Sequence, residues 1–353
     1  MDDPRRPSPD HLTQQWLSQL MLSHCAEQAI YLISRLRIPD LVESGVDTIE
    51  AMAAETNIPS RPLRTLLDAL EGIGIFARHT DGRYINTPAS ALLSSDSLSA
   101  EAARARYYGS SQVWNAWTRF DESIRSGKPA FELANGRPFY ESLREDDELR
   151  AAFSTYIARV SQKSDAAGAR SLELADARTV VDVGGGYGSF LVQLLRANPQ
   201  VHGVLYDLPE VTEDAKRLLP ADLVDRITVV GGDMRHSVPA GADVYVLKSV
   251  LCDWPDAEAG KVLHSCAAAM TGDARLITIE RIASSVNDTG YERLMNLQML
   301  LLFGGGGLRP LSEMRDLLES AHLSLTSATE ITGNQSVLIS QLAPPPPSGA
   351  TSR

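Results

Sequence analysis

The hydrophobic period of this chain changes once, near the middle. From His11 to about Arg37, Trp16, Leu17, Leu20, Met21, Ile30, Ile33 and Leu36 recur at helical spacing. The stretch is apolar on more than one face, so it is expected to pack against several elements or a second subunit. Three short segments follow at 47–55, 61–73 and 76–85. Thr48 predicts an N-cap for the first and Ser60 for the second, with Pro62 in the first helical turn. The third predicts two short strands around Asp81-Gly82. Helix, turn, helix and hairpin together predict a winged helix. Residues 100–167 predict a second helical stretch. It gathers Tyr107, Tyr108, Trp114, Trp117, Phe120, Phe131, Phe139, Tyr140, Phe153 and Tyr156, in a chain only 6% aromatic. Such residues build a core or the wall of an apolar pocket.

Beyond residue 167 the pattern is different. Short β-branched runs at 179–183, 204–207, 227–230, 244–248 and 275–280 alternate with helical stretches at 190–197, 211–219 and 257–270. Strands apolar on both faces, alternating with helices, predict an α/β fold with a parallel sheet covered on both sides. Two domains are expected, 11–168 and 169–343. They lie between polar, proline-rich ends at 1–10 and 344–353 that are expected to be disordered.

Charge decides between two readings of the winged helix. The chain carries 33 Lys and Arg against 45 Asp and Glu, a net charge of −12. Nucleic-acid affinity rests on clustered positive charge. The second helix of the module holds Arg61 and Arg64, but also Asp68 and Glu71. A dimerisation or lid module is therefore favoured over a DNA-reading regulator, and no nucleic-acid partner is expected. The three cysteines, Cys25, Cys252 and Cys266, make no disulfide framework and no CxxC knuckle. No apolar run reaches bilayer length and no basic-then-apolar leader is seen. A cytoplasmic protein without a membrane partner is expected.

The sharpest motif is Asp182-Val-Gly184-Gly185-Gly186-Tyr-Gly188, which follows a strand and precedes a helix. Glycines there allow close approach of a ligand. The acid ahead of them would repel a pyrophosphate and suits an ammonium group. Asp207, next to Leu208, ends the following strand, where a carboxylate accepts ribose hydroxyls. Asp233 and Met234 follow the third strand, placed to hold an adenine by its amine and its face. A cationic ligand with ribose and adenine but no phosphate is S-adenosylmethionine.

On the segments VVDVGGGYGSF, YDLPEV, GGDM, VPAGADVYVLKSVLCDWPD and MNLQMLLLFGGGGLRPLSE, the sequence resembles class I S-adenosylmethionine-dependent methyltransferases. It is most similar to the plant caffeate-type and bacterial small-molecule O-methyltransferases. The resemblance covers nearly the whole chain except the ends. It implies a Rossmann-like C-terminal domain with a mostly parallel seven-stranded sheet, and an N-terminal winged-helix domain that makes a homodimer. It also implies that Lys248 contacts the cofactor, with Gly184, Gly186, Gly188, Asp182, Asp207, Leu208, Asp233 and Met234. A small-molecule acceptor would lie between the domains. Trp114, Trp117, Phe120, Tyr156, Trp254, Met295, Asn296, Met299, Phe303 and Leu308 are candidate wall residues. Asn296 and Gln298 could instead cap buried backbone.

The sequence departs from the family at the chemistry. Where the family keeps a histidine base before Asp-Trp, this chain has Cys252. The first supporting acid is kept as Glu280, and the second has become Leu308. Cys252, Asp253 and Glu280 are the candidate catalytic residues. A thiol of ordinary pKa about 8.5 is a poor base when buried without a cation. Nothing nearby in sequence would activate it as a nucleophile, and His236 and His264 lack metal-ligand spacing, so no metal is expected. Two enzymatic readings follow. Either a reactive acceptor (an acidic hydroxyl or a nucleophilic carbon) is methylated mainly through proximity, or the fold binds the cofactor and catalyses a rearrangement, cyclisation, elimination or hydroxylation.

Overall fold

The computed structural model describes residues 14–172, 174–283, 290–331 and 335–344. The expected disordered ends, 1–10 and 344–353 apart from residue 344, lie outside the described residues. Contacts gather the chain into two compact units. One holds the residues up to Trp114 with Glu148–Arg159; the other holds Asn115–Asp147 with the chain from Val160 onward. This division by contacts differs from the expected one at 168/169. Much of the aromatic helical stretch belongs with the sheet.

In the first unit the expected long helix is two helices, Gln14–Met21 and Ser23–Arg35. Leu22 interrupts them, and the Ser23 hydroxyl bonds to the Leu20 carbonyl at 2.7 Å. Trp16, Leu17, Leu20, Met21 and Leu22 are exposed in the single chain, whereas Ile33 is fully buried. Thr48 caps helix Ile49–Thr56 as expected, its Oγ1 accepting the Ala51 N–H at 3.3 Å. Ser60 is not a cap: the next helix runs Ser60–Gly72 with Pro59 at its N-cap. Pro59 is already extended (φ −58°, ψ 137°), so the chain turns into the helix one residue earlier. Leu63, Leu67 and Leu70 from this helix meet Ile33, Ile38, Met52, Phe76 and Tyr84 in one core. The wing is β1 (Phe76–Arg78) paired antiparallel with β2 (Tyr84–Asn86). Arg78 joins the wing to the preceding helix through Asp68 and through Glu71 at 2.6 Å. Arg78 is thus neutralised inside its own module.

The second unit holds β3 (Thr179–Val183), β4 (His202–Asp207), β5 (Ile227–Gly231), β6 (Val244–Lys248), β7 (Arg275–Arg281), β8 (Leu323–Ile331) and β9 (Gln335–Leu342). Their order in the sheet is β5-β4-β3-β6-β7-β9-β8. All neighbours are parallel except where β9 pairs antiparallel with β7 and β8. Successive side chains point to opposite faces, so each central strand feeds two cores. Val181, Val183, Tyr245, Leu247 and Leu276 pack on one side, with Leu263 and Leu318 from helices. Val180, Leu205, Val246, Ile277 and Ile279 pack on the other, with Leu191 and Leu195. Strand order reverses at β3, between β4 and β6, where the carboxyl ends of parallel strands open a crevice for ligands.

Candidate active site

At the end of β3 the chain enters Gly184, Gly186 and Gly188 with φ of 71°, 57° and 79°, the left-handed region that favours glycine. Helix Ser189–Ala197 starts directly after. A Cβ on Gly185 would lie 2.5 Å from Leu205 and 2.7 Å from the Asp182 carboxylate, whereas one on Gly186 would meet nothing within 4 Å. The loop is therefore packed on its inner side and open at Gly186.

Asp182 is buried, and its Oδ2 has no hydrogen-bond partner. Desolvation, then the charge of Asp165, raise its pKa to about 7, with Lys248 acting the other way. Lys248 is not free beneath the site: its Nζ pairs with buried Asp165 at 2.8 Å. The other Asp165 oxygen accepts the Ser189 hydroxyl at 2.7 Å. Asp165 stands in the long helix Asp147–Ser171 among Ala166, Ala167 and Gly168. A lone acid among small residues was the only sequence signal for it.

Asp207 accepts the Gly186 N–H at 2.8 Å on Oδ2 and the Leu208 N–H at 2.7 Å on Oδ1. Burial outweighs both bonds and raises its pKa to about 6. Each oxygen keeps acceptor capacity, as two ribose hydroxyls require. Met234 lies against the glycine loop, its sulfur 3.3 Å from where a Gly184 Cβ would stand. Asp233, expected to hold an adenine amine, has protein partners of its own. Arg235 grips both its oxygens, at 3.1 and 2.7 Å, and His236 approaches to 3.3 Å. Despite partial burial, these partners pull its pKa down to about 2. The orphaned Asp182 oxygen, the open glycine loop and the Asp207 acceptors fit an ammonium- and ribose-bearing cofactor.

The second half of the site is built on the turn Leu251–Asp253 after β6. Glu280, buried at the end of β7, accepts the Val250 and Leu251 amides at 2.9 and 2.8 Å on one oxygen. Desolvation raises its pKa to about 7. Burial, and next the charge of Glu280, push the Cys252 thiol well above its ordinary value. Cys252 is thus a neutral donor, its Sγ 3.7 Å from Asp253 Oδ1. Asp253 Oδ2 accepts the Tyr140 hydroxyl at 2.5 Å. The Tyr140 ring is stacked between Trp254 (5.2 Å, 20°) and Phe303 (5.6 Å, 21°).

The glycine run 304–307 locks this turn in place. All four residues have positive φ, and a Cβ on Gly306 would stand 2.3 Å from the Cys252 carbonyl oxygen. The Gly307 N–H bonds to that same oxygen at 2.7 Å. Arg309, also buried, donates to the carbonyls of Leu251 and Trp254 at 2.7 and 2.6 Å and to Asp256 at 2.9 Å. Asn296 accepts the Leu308 N–H at 3.2 Å, the backbone-capping role. The Leu308 side chain is half-buried beside it. Of the other expected wall residues, Met295 and Met299 are half-buried on helix Gly290–Phe303, and Trp117 packs on Phe120 at 5.2 Å. Trp114 and Tyr156 belong to the first unit, where Tyr156 is buried against Tyr107 and Tyr108. Asp165, Arg235 and Arg309 stand at the site without having been expected there, and Tyr140 was expected only as one of the aromatics of a core or pocket wall. Among the described residues no cluster of metal ligands is found, and no helix is long and apolar enough to cross a membrane.

The sequence pattern of the O-methyltransferase domain matches residues 117–324, and that of the O-methyltransferase dimerisation domain matches residues 18–96. The chain belongs to the O-methyltransferase family. Among its relatives is the mitomycin biosynthesis 6-O-methyltransferase of Streptomyces lavendulae, 34% identical over 84% of this chain and 85% of the relative. Another is the aclacinomycin 10-hydroxylase RdmB of Streptomyces purpurascens, 31% identical over 85% and 81%. The solved mitomycin 7-O-methyltransferase MmcR superposes with a TM-score of 0.89 at 31% identity, covering 94% of this chain and 98% of that one. The neocarzinostatin O-methyltransferase NcsB1, solved with S-adenosylmethionine and 2-hydroxy-5-methyl naphthoic acid, gives 0.79 at 31%, covering 90% and 96%. This O-methyltransferase is therefore an S-adenosylmethionine-dependent enzyme. Its N-terminal unit holds the family's dimerisation module and its sheet has the family's seven strands. When bound, the cofactor supplies an electrophilic methyl group on a sulfonium; the orphaned Asp182 oxygen and the Asp207 acceptors are the groups that would hold its ammonium and ribose ends.

Proposed function

We propose that this enzyme methylates an acidic hydroxyl of a small, largely apolar, aromatic natural product, working as a homodimer in the cytoplasm and binding no nucleic acid. The stacked Trp254–Tyr140–Phe303 wall carries the reading. It is an aromatic cluster tied to the turn where the resemblance puts the family's base, through the Tyr140–Asp253 bond. The ring acceptor bound to NcsB1 and the mitomycin relative point to the same substrate class. Cys252 cannot serve as base, because burial between acids holds its proton on sulfur. Orientation of an already acidic acceptor against the methyl group then supplies most of the rate. A nucleophilic ring carbon would need the same alignment.

A second reading has its own support. It rests on the non-basic residues Cys252 and Leu308 and on a relative named as a hydroxylase. In that reading the cofactor is held while the acceptor is hydroxylated or rearranged. Incubation with methyl-labelled S-adenosylmethionine and hydroxylated naphthoates, phenazines and anthracyclines separates the two. Label in an ether product is expected. Turnover of acceptor with no cofactor consumed would replace the first reading by the second.

A further inference from the structure

The family histidine is lost, yet a carboxylate with a built environment stands one residue away. Asp253 is half-buried on the turn that carries Cys252. One oxygen is fixed by Tyr140 at 2.5 Å, and the Tyr140 ring is itself clamped between Trp254 and Phe303. Among the described residues the other oxygen, Oδ1, receives only the long 3.7 Å contact from Cys252 Sγ, so acceptor capacity remains on it. Gly307 and Arg309 pin the carbonyls of Cys252, Leu251 and Trp254, so the backbone on either side cannot drift.

We propose that Asp253 is the general base of this enzyme, with Tyr140 as its positioning residue. The inference rests on the methyl-transfer reading above. The acceptor O–H bond breaks and its proton goes to Asp253 Oδ1. The oxygen's electron pair forms the new C–O bond as the methyl–sulfur bond breaks, leaving that bond's pair on sulfur. The proton then leaves Asp253 for water.

The electrostatics suit the role. Desolvation raises the Asp253 pKa to about 6, against the pull of Tyr140 and then of Cys252. A base near the working pH is the efficient choice. The groups that face it are Cys252 on its own turn, Glu280 from β7 and Tyr140 from helix Phe139–Glu145. Arg309 reaches the turn through backbone carbonyls, and Arg235 lies over the Trp254 ring at 4.9 Å.

Two measurements test this. Carbon-13 NMR of Asp carboxyls in the whole protein needs no acceptor. One resonance, assigned by its loss in Asp253→Asn, should titrate well above the usual Asp range and move higher still in Tyr140→Phe. An ordinary titration, or no response to Tyr140→Phe, overturns the pairing. With an acceptor that takes label, Asp253→Asn should lower kcat by about 100-fold or more, with KM little changed and the acidic limb of the pH profile gone. Tyr140→Phe should move that limb to higher pH. If wild type transfers label and Asp253→Asn matches its kcat, the base assignment fails while methyl transfer stands. If wild type transfers no label to any acceptor, both fail.

Discussion

The two halves of the site are built on neighbouring strand ends, yet they differ in what was kept. The cofactor half carries the expected motif: glycines at positive φ, Asp182 before them, Asp207 at the end of β4 and Asp233 after β5. The acceptor half has Cys252 and Leu308 where the resemblance places a base and an acid, on a turn held by backbone hydrogen bonds. Holding a cofactor is a demand on backbone conformation and fixed carboxylates, which tolerates little change. Taking a proton asks only for a basic atom within reach, and a neighbour can supply it.

Three substitutions sharpen that contrast. The largest effect is expected at Gly306, in the acceptor half. Gly306→Ala places a Cβ against the Cys252 carbonyl at a φ of 81°, so the loop must shift. A loss of about 3 kcal/mol or more is expected, read as a lower urea midpoint at unchanged slope. A midpoint like that of wild type would mean the acceptor half is held by side chains after all.

Asp182→Asn should be intermediate. It removes the buried carboxylate with an unpartnered oxygen and should weaken S-adenosylhomocysteine binding by about 10- to 100-fold in calorimetry. Its pH dependence has a definite sign. The folded pKa of about 7 lies above the unfolded value, so between about pH 4 and 7 the native protein holds a proton that the unfolded chain has released. That stabilisation is lost as pH rises through 7. The melting temperature of Asp182→Asn relative to wild type should therefore climb from pH 5 to pH 8. A constant difference would place Asp182 in a more solvated setting than its burial indicates.

The smallest effect is expected at Gly186→Ala. Its Cβ meets open space, so only the left-handed φ of 57° is penalised, at about 1 kcal/mol. A loss as large as that of Gly306→Ala would show that the cofactor loop is crowded rather than open.

Central strands and the glycine loop were readable because their cause is local. A strand buried on both faces is a run of β-branched residues, and a close-approach turn is a run of glycines. β8 and β9 escaped reading from the residues, because β8 alternates polar positions and is exposed over much of its length. Leu22 shows the same limit: nothing local distinguishes it from the helical residues on either side, yet the first helix breaks there. Asn296 can be read as substrate-facing or as a cap, and its contact with the Leu308 amide appears only in the folded chain.

By itself the sequence determined the fold class and the cofactor. Each depends on residue identity at short spacing along the chain. Only the tertiary structure joined Tyr140 to Asp253 and Asp165 to Lys248, pairs separated by 113 and by more than 80 positions. Such partners meet because helices fold back onto strand ends. A carboxyl's basicity is then set by what surrounds it in space, which its neighbours in sequence do not reveal.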